Sequence, residues 1–228
     1  MPLPPPPLLR CPRCARPFPD AAATSVSVTC TTGHRFELNK RGYLALLSPG
    51  AHLPPAPTPS ALDALEARFS GREGAEFTEA IAAAAPHGKT IRLLDMGSDL
   101  GHAAEALLSA HEAWTAVAVC SSPAAASRTL GRLPDVLLAD PLRELPVEDG
   151  AVDLVLAVLA PTRPAEFHRV LAPGGVVLTA LAPDDLSAEQ LLDDTYPWFE
   201  HDQTRRLWLD DGEHSVVRLR RRRRMVTW

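Results

Sequence analysis

The chain has 228 residues and a mass of 24.6 kDa, which is enough for one α/β domain with a small additional module. Hydrophobic residues make up 46% and charged residues 22% of the sequence, and this composition excludes a wholly disordered protein. The formal net charge of -5 also excludes a uniformly basic protein that coats nucleic acid.

Positive charge is concentrated at the two ends of the chain. Residues 1–50 carry six Lys or Arg against two Asp or Glu, and residues 210–228 carry six against three. Residues 51–209 hold the remaining 11 bases together with 23 acids. Two basic ends around an acidic body suit a polyanionic partner that touches only part of the surface.

The sequence gives no sign of a membrane span or a secretion signal. Its longest apolar run, residues 151–161, is interrupted by Asp153 and is far shorter than the roughly 20 residues that a span needs. The N-terminal stretch has Pro where a signal peptide has a basic region and an apolar helix. We therefore expect a cytoplasmic protein, in which four Cys indicate metal binding or free thiols rather than disulfides.

Proline marks the boundaries of the first part of the chain, since 13 of the 23 Pro lie within residues 1–60. Pro-rich stretches are extended and pack poorly. We predict six segments: a disordered Pro-rich tail (1–9), a Cys- and His-bearing module (10–50), a Pro-rich linker (51–60), a helical connector (61–89), an α/β domain (90–219) and an Arg-rich C-terminal tail (220–228).

The module at 10–50 carries a metal-ligand pattern. Cys11 and Cys14 form a CPRC turn, and after fifteen intervening residues Cys30 and His34 form a second pair. Two thiolates in such a turn face one ion, and the second pair closes a tetrahedron of the Cys₃His type that is common for structural zinc. The other interpretations are a coincidence of four residues or a Cys11–Cys14 redox pair.

From residue 61 onward, helical spacing gives way to an alternation of strands and helices. The connector predicts helix from Ala61 to Ala85 with a break near Gly71 and Gly74, and Ser60 is the expected cap. The alternation that follows predicts a doubly wound, mostly parallel sheet. Its expected strands are 91–96, 114–120, 135–139, 152–159 and 176–181, its helices are 102–110, 123–132 and 164–171, and residues 205–219 read as a hairpin that turns at Asp211-Gly212.

A Gly-rich turn follows the first of these strands. The stretch from Asp95 to Gly101, D-M-G-S-D-L-G, resembles the turn by which a doubly wound sheet brings backbone close to a nucleotide. Further on, FHRVLAPGGVVLTAL (167–181) gives a helix, a Pro-Gly-Gly turn and a strand. Asp149 and Asp153 read as part of a solvated turn in preference to a catalytic base.

Together these motifs resemble the class I S-adenosylmethionine-dependent methyltransferases, whose fold is Rossmann-like. The Cys/His module, the segment K-R-G-Y-L-A-L-L from Lys40 to Leu47, and Asp63, Ala67, Arg68 and Phe69 after the linker resemble one family within that class: the 23S rRNA guanine-N1 methyltransferases. The resemblance implies an N-terminal zinc ribbon that binds RNA, with S-adenosylmethionine and Zn²⁺ as cofactors.

The same resemblance implies a set of cofactor-binding residues: Asp95, Gly97, Ser98, Asp99, Gly101, His102, Cys120, Asp140, Pro141 and Leu142. Ser98, Asp99 and Leu100 in the loop, and the end of the second strand, depart from the family pattern. Asp99 replaces a Gly, Leu100 removes a polar side chain, and Cys120-Ser121-Ser122 stands where the second strand normally ends in an acid. Each missing hydrogen-bonded contact costs about 1–3 kcal/mol, so we expect weakened cofactor affinity.

Basic and aromatic residues of the ribbon are the predicted RNA contacts. Arginine pairs with phosphate, and aromatic rings stack on unpaired bases. The predicted contacts are Arg13, Arg35, Lys40, Arg41 and Tyr43, within a cluster that includes Arg10 and Arg16. The other interpretation assigns the aromatic side chains, Phe36 among them, to the ribbon core. A second basic run, Arg218 and Arg220 to Arg224, would bind any polyanion without sequence specificity.

Three functions follow from these observations. The first is S-adenosylmethionine-dependent methyl transfer to a guanine N1 in a 23S rRNA hairpin, which the intact ribbon signature and the well-kept third to fifth strands favour. The second is an RNA-binding protein that has the fold but lacks cofactor binding, and the third is a methyltransferase retargeted to a small molecule. A homodimer formed through the ribbon is a possibility by analogy with the family.

Overall fold

The computed structural model describes residues 8–19, 27–97, 100–158, 163–182 and 188–223. Predictions for Ser98, Asp99, the loop that begins at Leu159, the first residues of the Pro-rich tail and the end of the Arg-rich tail lie outside these ranges.

The N-terminal module is a small two-stranded ribbon. Strand β1 (Ser27–Thr29) is antiparallel to β2 (Arg35–Glu37), and Val28 lies opposite Phe36. Phe18 meets Phe36 edge-to-face with ring centroids 5.8 Å apart. This pair forms the centre of a core that is too small to hold a fold alone, so a module of this size needs a further constraint.

A third strand, β3 (Leu44–Ala45), leaves the ribbon and joins the main sheet at its edge. It runs parallel to residues 137–138. Leu9 likewise forms a bridge to Val147, within the α/β part of the chain. The segments before residue 50 and after residue 60, which the predicted boundaries separate, therefore contribute strands to the same sheet.

The connector forms two helices, α1 (Pro59–Ser70) and α2 (Arg72–Ala84). The predicted break is present, because Gly71 separates the helices and a Cβ on Gly74 would lie 2.0 Å from the Phe69 carbonyl oxygen. The predicted cap was wrong. Thr58 caps α1, and its Oγ1 accepts a hydrogen bond from the Ala61 amide at 3.1 Å, whereas Ser60 lies inside the helix.

The main sheet has eight strands in the order β3-β6-β5-β4-β7-β8-β10-β9. The first six are parallel, and the β9–β10 hairpin closes the far edge with β10 antiparallel to β8. The remaining strands are β4 (Arg92–Asp95), β5 (Thr115–Cys120), β6 (Val136–Leu138), β7 (Val152–Val158), β8 (Leu171–Leu181), β9 (Phe199–Leu209) and β10 (Gly212–Arg221).

The helices that connect these strands are α3 (His102–Ala110), α4 (Pro123–Thr129), α5 (Pro164–Val170) and α6 (Ala188–Thr195). The predicted doubly wound α/β fold is confirmed. Helix α4 ends at Thr129, three residues before the predicted end, and β3 was not predicted. Three further details of the α/β part differ from the sequence prediction. Strand β8 begins at Leu171 and runs through the Pro-Gly-Gly stretch, the hairpin is longer than 205–219, and α6 has no counterpart in the prediction.

Side chains that alternate along the central strands fill a separate core on each face of the sheet. Leu93 and Leu154 belong to one core, together with α1, α2 and α3; Leu94 and Val155 belong to the other, together with the ribbon. Burial on both faces explains the near-continuous apolar runs of these strands. No helix within the described ranges is long and apolar enough to cross a membrane.

Candidate functional site

The four predicted metal ligands come together at one point in the ribbon. The ligand atoms of Cys11, Cys14, Cys30 and His34 all lie within 4.8 Å of one another. His34 Nδ1 is 3.6 Å from the sulfurs of both Cys11 and Cys30, and the Cys14 and Cys30 sulfurs are 3.8 Å apart. These separations match the edges of a tetrahedron whose centre is about 2.0–2.3 Å from each donor, as for zinc. The Cys₃His set therefore fits a zinc ion.

Local backbone structure aims these side chains. The Arg13 amide lies 3.4 Å from Cys11 Sγ, and Ala15 closes the turn in a left-handed conformation with φ of 54°. Gly33, with φ of 89°, turns the chain between Cys30 and His34. Burial acts to raise the pKa of Cys30, but hydrogen bonds from Thr32 and His34 outweigh it and lower that pKa to about 6. A thiol with such a pKa is readily a thiolate, which is the metal-binding form.

Cys11 shows the opposite shift, and it has the same implication for metal. Its side chain is buried, and burial raises its pKa to about 11. A buried thiol of this kind stays protonated at neutral pH unless a cation is present to stabilise the thiolate. The site combines two buried thiols with two half-buried donors, Cys14 and His34, and the buried Cys11 thiol would ionise when the ion binds.

The turn after β4 is shaped by Asp95 and Gly97. Asp95 is fully buried, and its Oδ1 accepts a hydrogen bond from the Gly97 amide at 3.0 Å. Gly97 has a φ of 66°, and a Cβ there would lie 2.6 Å from the Val119 carbonyl oxygen. This position requires Gly because the turn presses against the end of β5.

Leu100 corrects one expectation about this turn. We interpreted it as the loss of a polar cofactor contact, but its side chain is 1% exposed and belongs to the core between sheet and helices. Its backbone has a φ of 60°, and Gly101 follows with a φ of 84°. Two successive left-handed residues bring the chain into α3, and the buried leucine anchors them.

His102 lies at the start of α3, and its ring lies against α1. The ring stacks on Phe69 with centroids 5.8 Å apart, and its Nε2 is 3.4 Å from Glu66 Oε1. Burial would raise the pKa of Glu66, but its ion pair with Arg132 and the nearby His102 lower it. His102 thus helps to hold the connector helix over the sheet.

The ends of β5 and β6 provide the remaining predicted positions. Cys120 is 1% exposed with its Sγ 3.5 Å from Thr129 Oγ1, and Ser122 caps α4 through the Ala125 amide. After β6, Asp140 Oδ1 accepts from the Leu142 amide at 2.9 Å. The Leu142 side chain is 58% exposed, so a buried carboxylate and an exposed apolar face stand side by side.

These positions test whether an adenosine-type cofactor fits. The tight turn after β4 and the Asp140–Leu142 pair after β6 lie at the carboxyl ends of two parallel strands that flank β5, and doubly wound sheets bind nucleotides at this end. Leu142 offers an apolar face for a purine ring, and Pro141 precedes it. The end of β5 offers a thiol and two hydroxyls instead of a carboxylate. The polar and apolar groups at this end of the sheet fit an adenosine-type cofactor.

Arg163 is a residue of this edge that the sequence analysis missed. Its Nη1 donates to the Pro141 carbonyl oxygen at 3.2 Å and also to the Arg143 carbonyl oxygen. It stands directly before Pro164, the first residue of α5. Arg163 therefore ties the loop after β6 to the segment after β7, and no motif in the sequence marks this contact.

A cleft of about 360 Å³ lies between the metal-bearing turn and the loop after β6. Residues 10–15 and Ser48 form one wall, and residues 143–146 form the other. Arg13 and Arg143 stand on opposite walls, and both are exposed. The cleft therefore joins the ribbon to the carboxyl edge of the sheet.

The predicted RNA contacts divide into exposed and buried residues. Arg13, Arg35, Lys40 and Arg41 are exposed, although Arg41 Nη1 donates to Ser127 Oγ at 3.1 Å. The prediction for Tyr43 was wrong, because its side chain is 5% exposed and belongs to the main core. Arg10 is also unsuited to phosphate, since it is 8% exposed and pairs with Glu144 and Asp149. Phe36 is buried, as its core interpretation predicts.

Asp153 lies at the opposite edge of the sheet from the candidate site. Its carboxylate accepts hydrogen bonds from the Arg92 guanidinium at 3.0 and 3.1 Å and from the Arg92 amide at 3.0 Å, beside the start of β7. Asp149 pairs with Arg10 and Arg169. Both carboxylates serve the structure, in agreement with the interpretation that neither is a catalytic base.

No protein-family model matches the chain, but solved structures share its fold at low sequence identity. The N-methyltransferase NodS of Bradyrhizobium japonicum, solved with S-adenosylhomocysteine, has a TM-score of 0.53 and 15% identity over 70% of this chain and 97% of that chain. A SAM-dependent methyltransferase of Aquifex aeolicus has a TM-score of 0.52 and 13% identity over 72% and 99%. The chain thus has the class I methyltransferase fold, with an N-terminal Cys₃His ribbon.

Sequence comparison finds relatives that belong to one family within this class. The 23S rRNA (guanine(748)-N(1))-methyltransferase of Streptomyces fradiae is 32% identical over 187 residues, which are 79% of this chain and 65% of that protein. A Micromonospora griseorubida protein named for transfer to a guanine N1 of 23S rRNA is 29% identical over 192 residues, 75% of this chain and 64% of that protein. The chain is related to the 23S rRNA guanine-N1 methyltransferases, and the resemblance seen in its motifs is confirmed. It spans slightly less than two thirds of the length of these two relatives.

Proposed function

We propose that this protein transfers a methyl group from S-adenosylmethionine to the N1 atom of a guanine in a 23S rRNA hairpin. The observation that carries the proposal is the cleft between the ribbon and the carboxyl edge of the sheet. It places the exposed Arg13 and Arg143 beside the loop that would hold the cofactor. The fold and the names of the sequence relatives support the same reaction class.

The chain's own residues would bind and orient the reactants. Bound S-adenosylmethionine would supply an electrophilic methyl group. Asp95 and Gly97 hold the β4 turn in the shape that approaches a ligand, and Asp140 with Leu142 presents a polar and an apolar contact for the adenosine part. Arg13 and Arg143 would pair with phosphates of the hairpin and turn the guanine toward the sheet edge. Orientation of this kind accounts for a large share of catalysis in such transfers.

Calorimetric titration of zinc-loaded protein with S-adenosylmethionine tests the first step. We expect micromolar binding. Absence of heat at millimolar cofactor, from protein shown to be folded, would contradict the enzyme proposal and leave RNA binding without methyl transfer as the function. That outcome has a structural basis, because the end of β5 lacks the ribose-binding carboxylate.

A methylation assay on a transcribed 23S fragment tests the second step. Methylation at N1 blocks the Watson–Crick edge, so primer extension should stop next to the modified guanine. Replacement of Arg13 and Arg143 by Glu should lower the apparent RNA affinity at least ~10-fold, while calorimetric cofactor binding stays unchanged. The matched control is Arg72→Glu/Arg206→Glu, since both arginines lie outside the cleft and are 74% exposed.

The same proposal places the protein in the cytoplasm, where its ribosomal substrate would be. It includes a homodimer formed through the ribbon, which sedimentation of zinc-loaded protein would detect as twice the 24.6 kDa chain mass.

A further inference from the structure

A second basic surface lies where β10 ends, beside the amino-terminal half of β8 and opposite to the carboxyl ends of the parallel strands. It is a cleft of about 680 Å³ lined by Pro86, His87, Gly174, Val176, Glu200, Arg218 and Arg220 to Arg223. Its arginines belong to the run that the sequence analysis singled out and that the proposed reaction does not use. The structure makes part of this run a wall of a cleft, where the sequence predicts a tail.

The positive charge of this cleft is only partly compensated. Asp202 Oδ2 lies 2.9 Å from both Arg218 Nε and Arg220 Nη2, so one carboxylate serves two guanidinium groups. Glu200 supplies the other carboxylate of the cleft. Five arginines against two carboxylates leave three formal positive charges, in a chain whose net charge is -5. Positive charge held in a concave surface concentrates an anionic partner there.

Bonds to backbone carbonyls hold several of these side chains in place without neutralising them. Arg221 Nε donates to the His168 carbonyl oxygen at 2.8 Å, and Arg222 Nε donates to that of Phe199 at 2.9 Å. The Arg222 guanidinium also lies over the Tyr196 ring, 4.9 Å from its centroid. Guanidinium groups that are already ordered lose less entropy when they bind an anion, and their forked geometry matches phosphate.

The cleft is too far from the methyl-transfer site to hold the same nucleotide. Arg220 lies opposite Val176, which lies opposite Leu154 near the start of β7. The β4 turn lies beyond the carboxyl end of its strand and three strands away in the sheet. At about 3.3 Å per residue and 4.8 Å per strand, roughly 20 Å separate the two places. A ligand that reaches both must extend well beyond one nucleotide.

We propose that this cleft binds the phosphate backbone of RNA that flanks the target hairpin. The inference rests on the proposed function, which supplies the RNA, and adds a sequence-independent anchor at a distance from the reacting guanine. An RNA backbone suits the cleft because it presents phosphates at regular spacing and extends far enough to span the two edges.

The test compares two RNAs and two charge-matched variants. Arg220→Glu/Arg223→Glu changes the cleft at positions that are exposed, and Arg205→Glu/Arg206→Glu makes the same charge change on exposed positions of β9 outside it. Binding is measured by fluorescence anisotropy over a range of salt concentrations, with the isolated hairpin and with a longer 23S fragment that contains it. Circular dichroism and thermal unfolding confirm that each variant is folded.

We expect the cleft variant to bind the longer fragment at least ~10-fold more weakly than the control variant does. Its slope of log K against log salt should fall in magnitude by about 1.4–1.8, the value for two lost phosphate contacts. Affinity for the isolated hairpin and methylation of it should match those of the control variant.

Several outcomes would overturn the inference. Equal affinities of the cleft and control variants for the longer fragment would do so, and so would equal losses by the cleft variant on both RNAs. Polyglutamate serves as a probe for an acidic protein partner. If the cleft variant lost polyglutamate binding and kept RNA binding, the cleft would be assigned to an acidic protein instead. A wild-type protein that binds neither RNA would overturn the proposed function itself, which distinguishes that failure from failure of the cleft alone.

Discussion

Asp135 carries a half-buried carboxylate directly before β6. Its Oδ1 is buried and accepts no hydrogen bond from any residue within the described ranges, and burial raises its pKa to about 6. The folded protein therefore binds this proton more tightly than the unfolded chain, so stability falls as pH rises from about 4 to about 6. Above about pH 6 the carboxylate is ionised, and its burial then lowers the stability of the folded protein.

Asp135→Asn should remove this destabilisation, because the amide does not ionise. We expect the variant to be more stable than the wild type by about 1–2 kcal/mol at pH 7.5, a figure reduced for partial solvent screening, and equal to it near pH 4. Urea unfolding at the two pH values measures the difference. A stability gain that is the same at both pH values would show that ionisation of Asp135 is not its cause.

The sequence resemblance predicts that Cys120 occupies the position where a carboxylate would contact the ribose of the cofactor. Cys120→Asp should tighten S-adenosylmethionine binding at least ~10-fold, since one charge-assisted hydrogen bond is gained. Calorimetry measures the affinity, and Cys120→Ser serves as the size-matched control without a charge. Unchanged affinity of a folded Cys120→Asp protein would mean that this side chain does not face the ribose, in keeping with its burial against Thr129.

The elements show what the sequence could and could not predict. The parallel strands were accessible because burial on both faces leaves continuous apolar runs, such as LVLAV within β7. The two-residue strand β3 could not be predicted, because a strand this short depends on a partner 93 residues later at Leu137. The predicted range of β8 was too short, because Pro173, Gly174 and Gly175 are typical of a turn. In the structure the strand has already begun at Leu171, which pairs with Val152. The burial of Tyr43 follows from this same unpredicted edge.

The start of α1 gives an element-level test. Thr58→Ala should destabilise the protein by about 1 kcal/mol, because the Ala61 amide loses its side-chain acceptor. Ser60→Ala, two residues on and inside the helix, should change stability by less than about 0.5 kcal/mol. Thermal unfolding of both variants decides the assignment. A larger effect at Ser60 would restore the cap that the sequence predicted.

At the scale of the whole molecule, the metal-bearing ribbon and the sheet share one core. Phe18, Val28 and Phe36 belong to the same buried cluster as Leu137 and Val147. Arg10 adds a backbone hydrogen bond to the Pro146 carbonyl oxygen at 3.1 Å. The ribbon is therefore not a separately melting unit, and the zinc site should stabilise the methyltransferase-like part as well.

Removal of zinc should lower one cooperative unfolding transition by roughly 10 °C or more, since structural zinc contributes many kcal/mol. Calorimetric scans with and without a chelator, followed by zinc addition, measure this change. Cys14→Ser should mimic the chelated protein, and Cys120→Ser, outside the ligand set, should retain one zinc per chain. Two transitions, with the larger one unmoved by chelation, would show that ribbon and sheet unfold independently.

The pairing of β3 with β6 has a consequence for the order in which a ribosome can build this protein. All four metal ligands lie between Cys11 and His34, so the ion can organise the first module as soon as it emerges. Leu44 must then wait for Leu137, which at 5–20 residues per second arrives on the order of ten seconds later. During that interval the metal is the main restraint on the nascent ribbon. Zinc supply during translation should therefore govern the yield of folded protein more strongly than zinc added after synthesis.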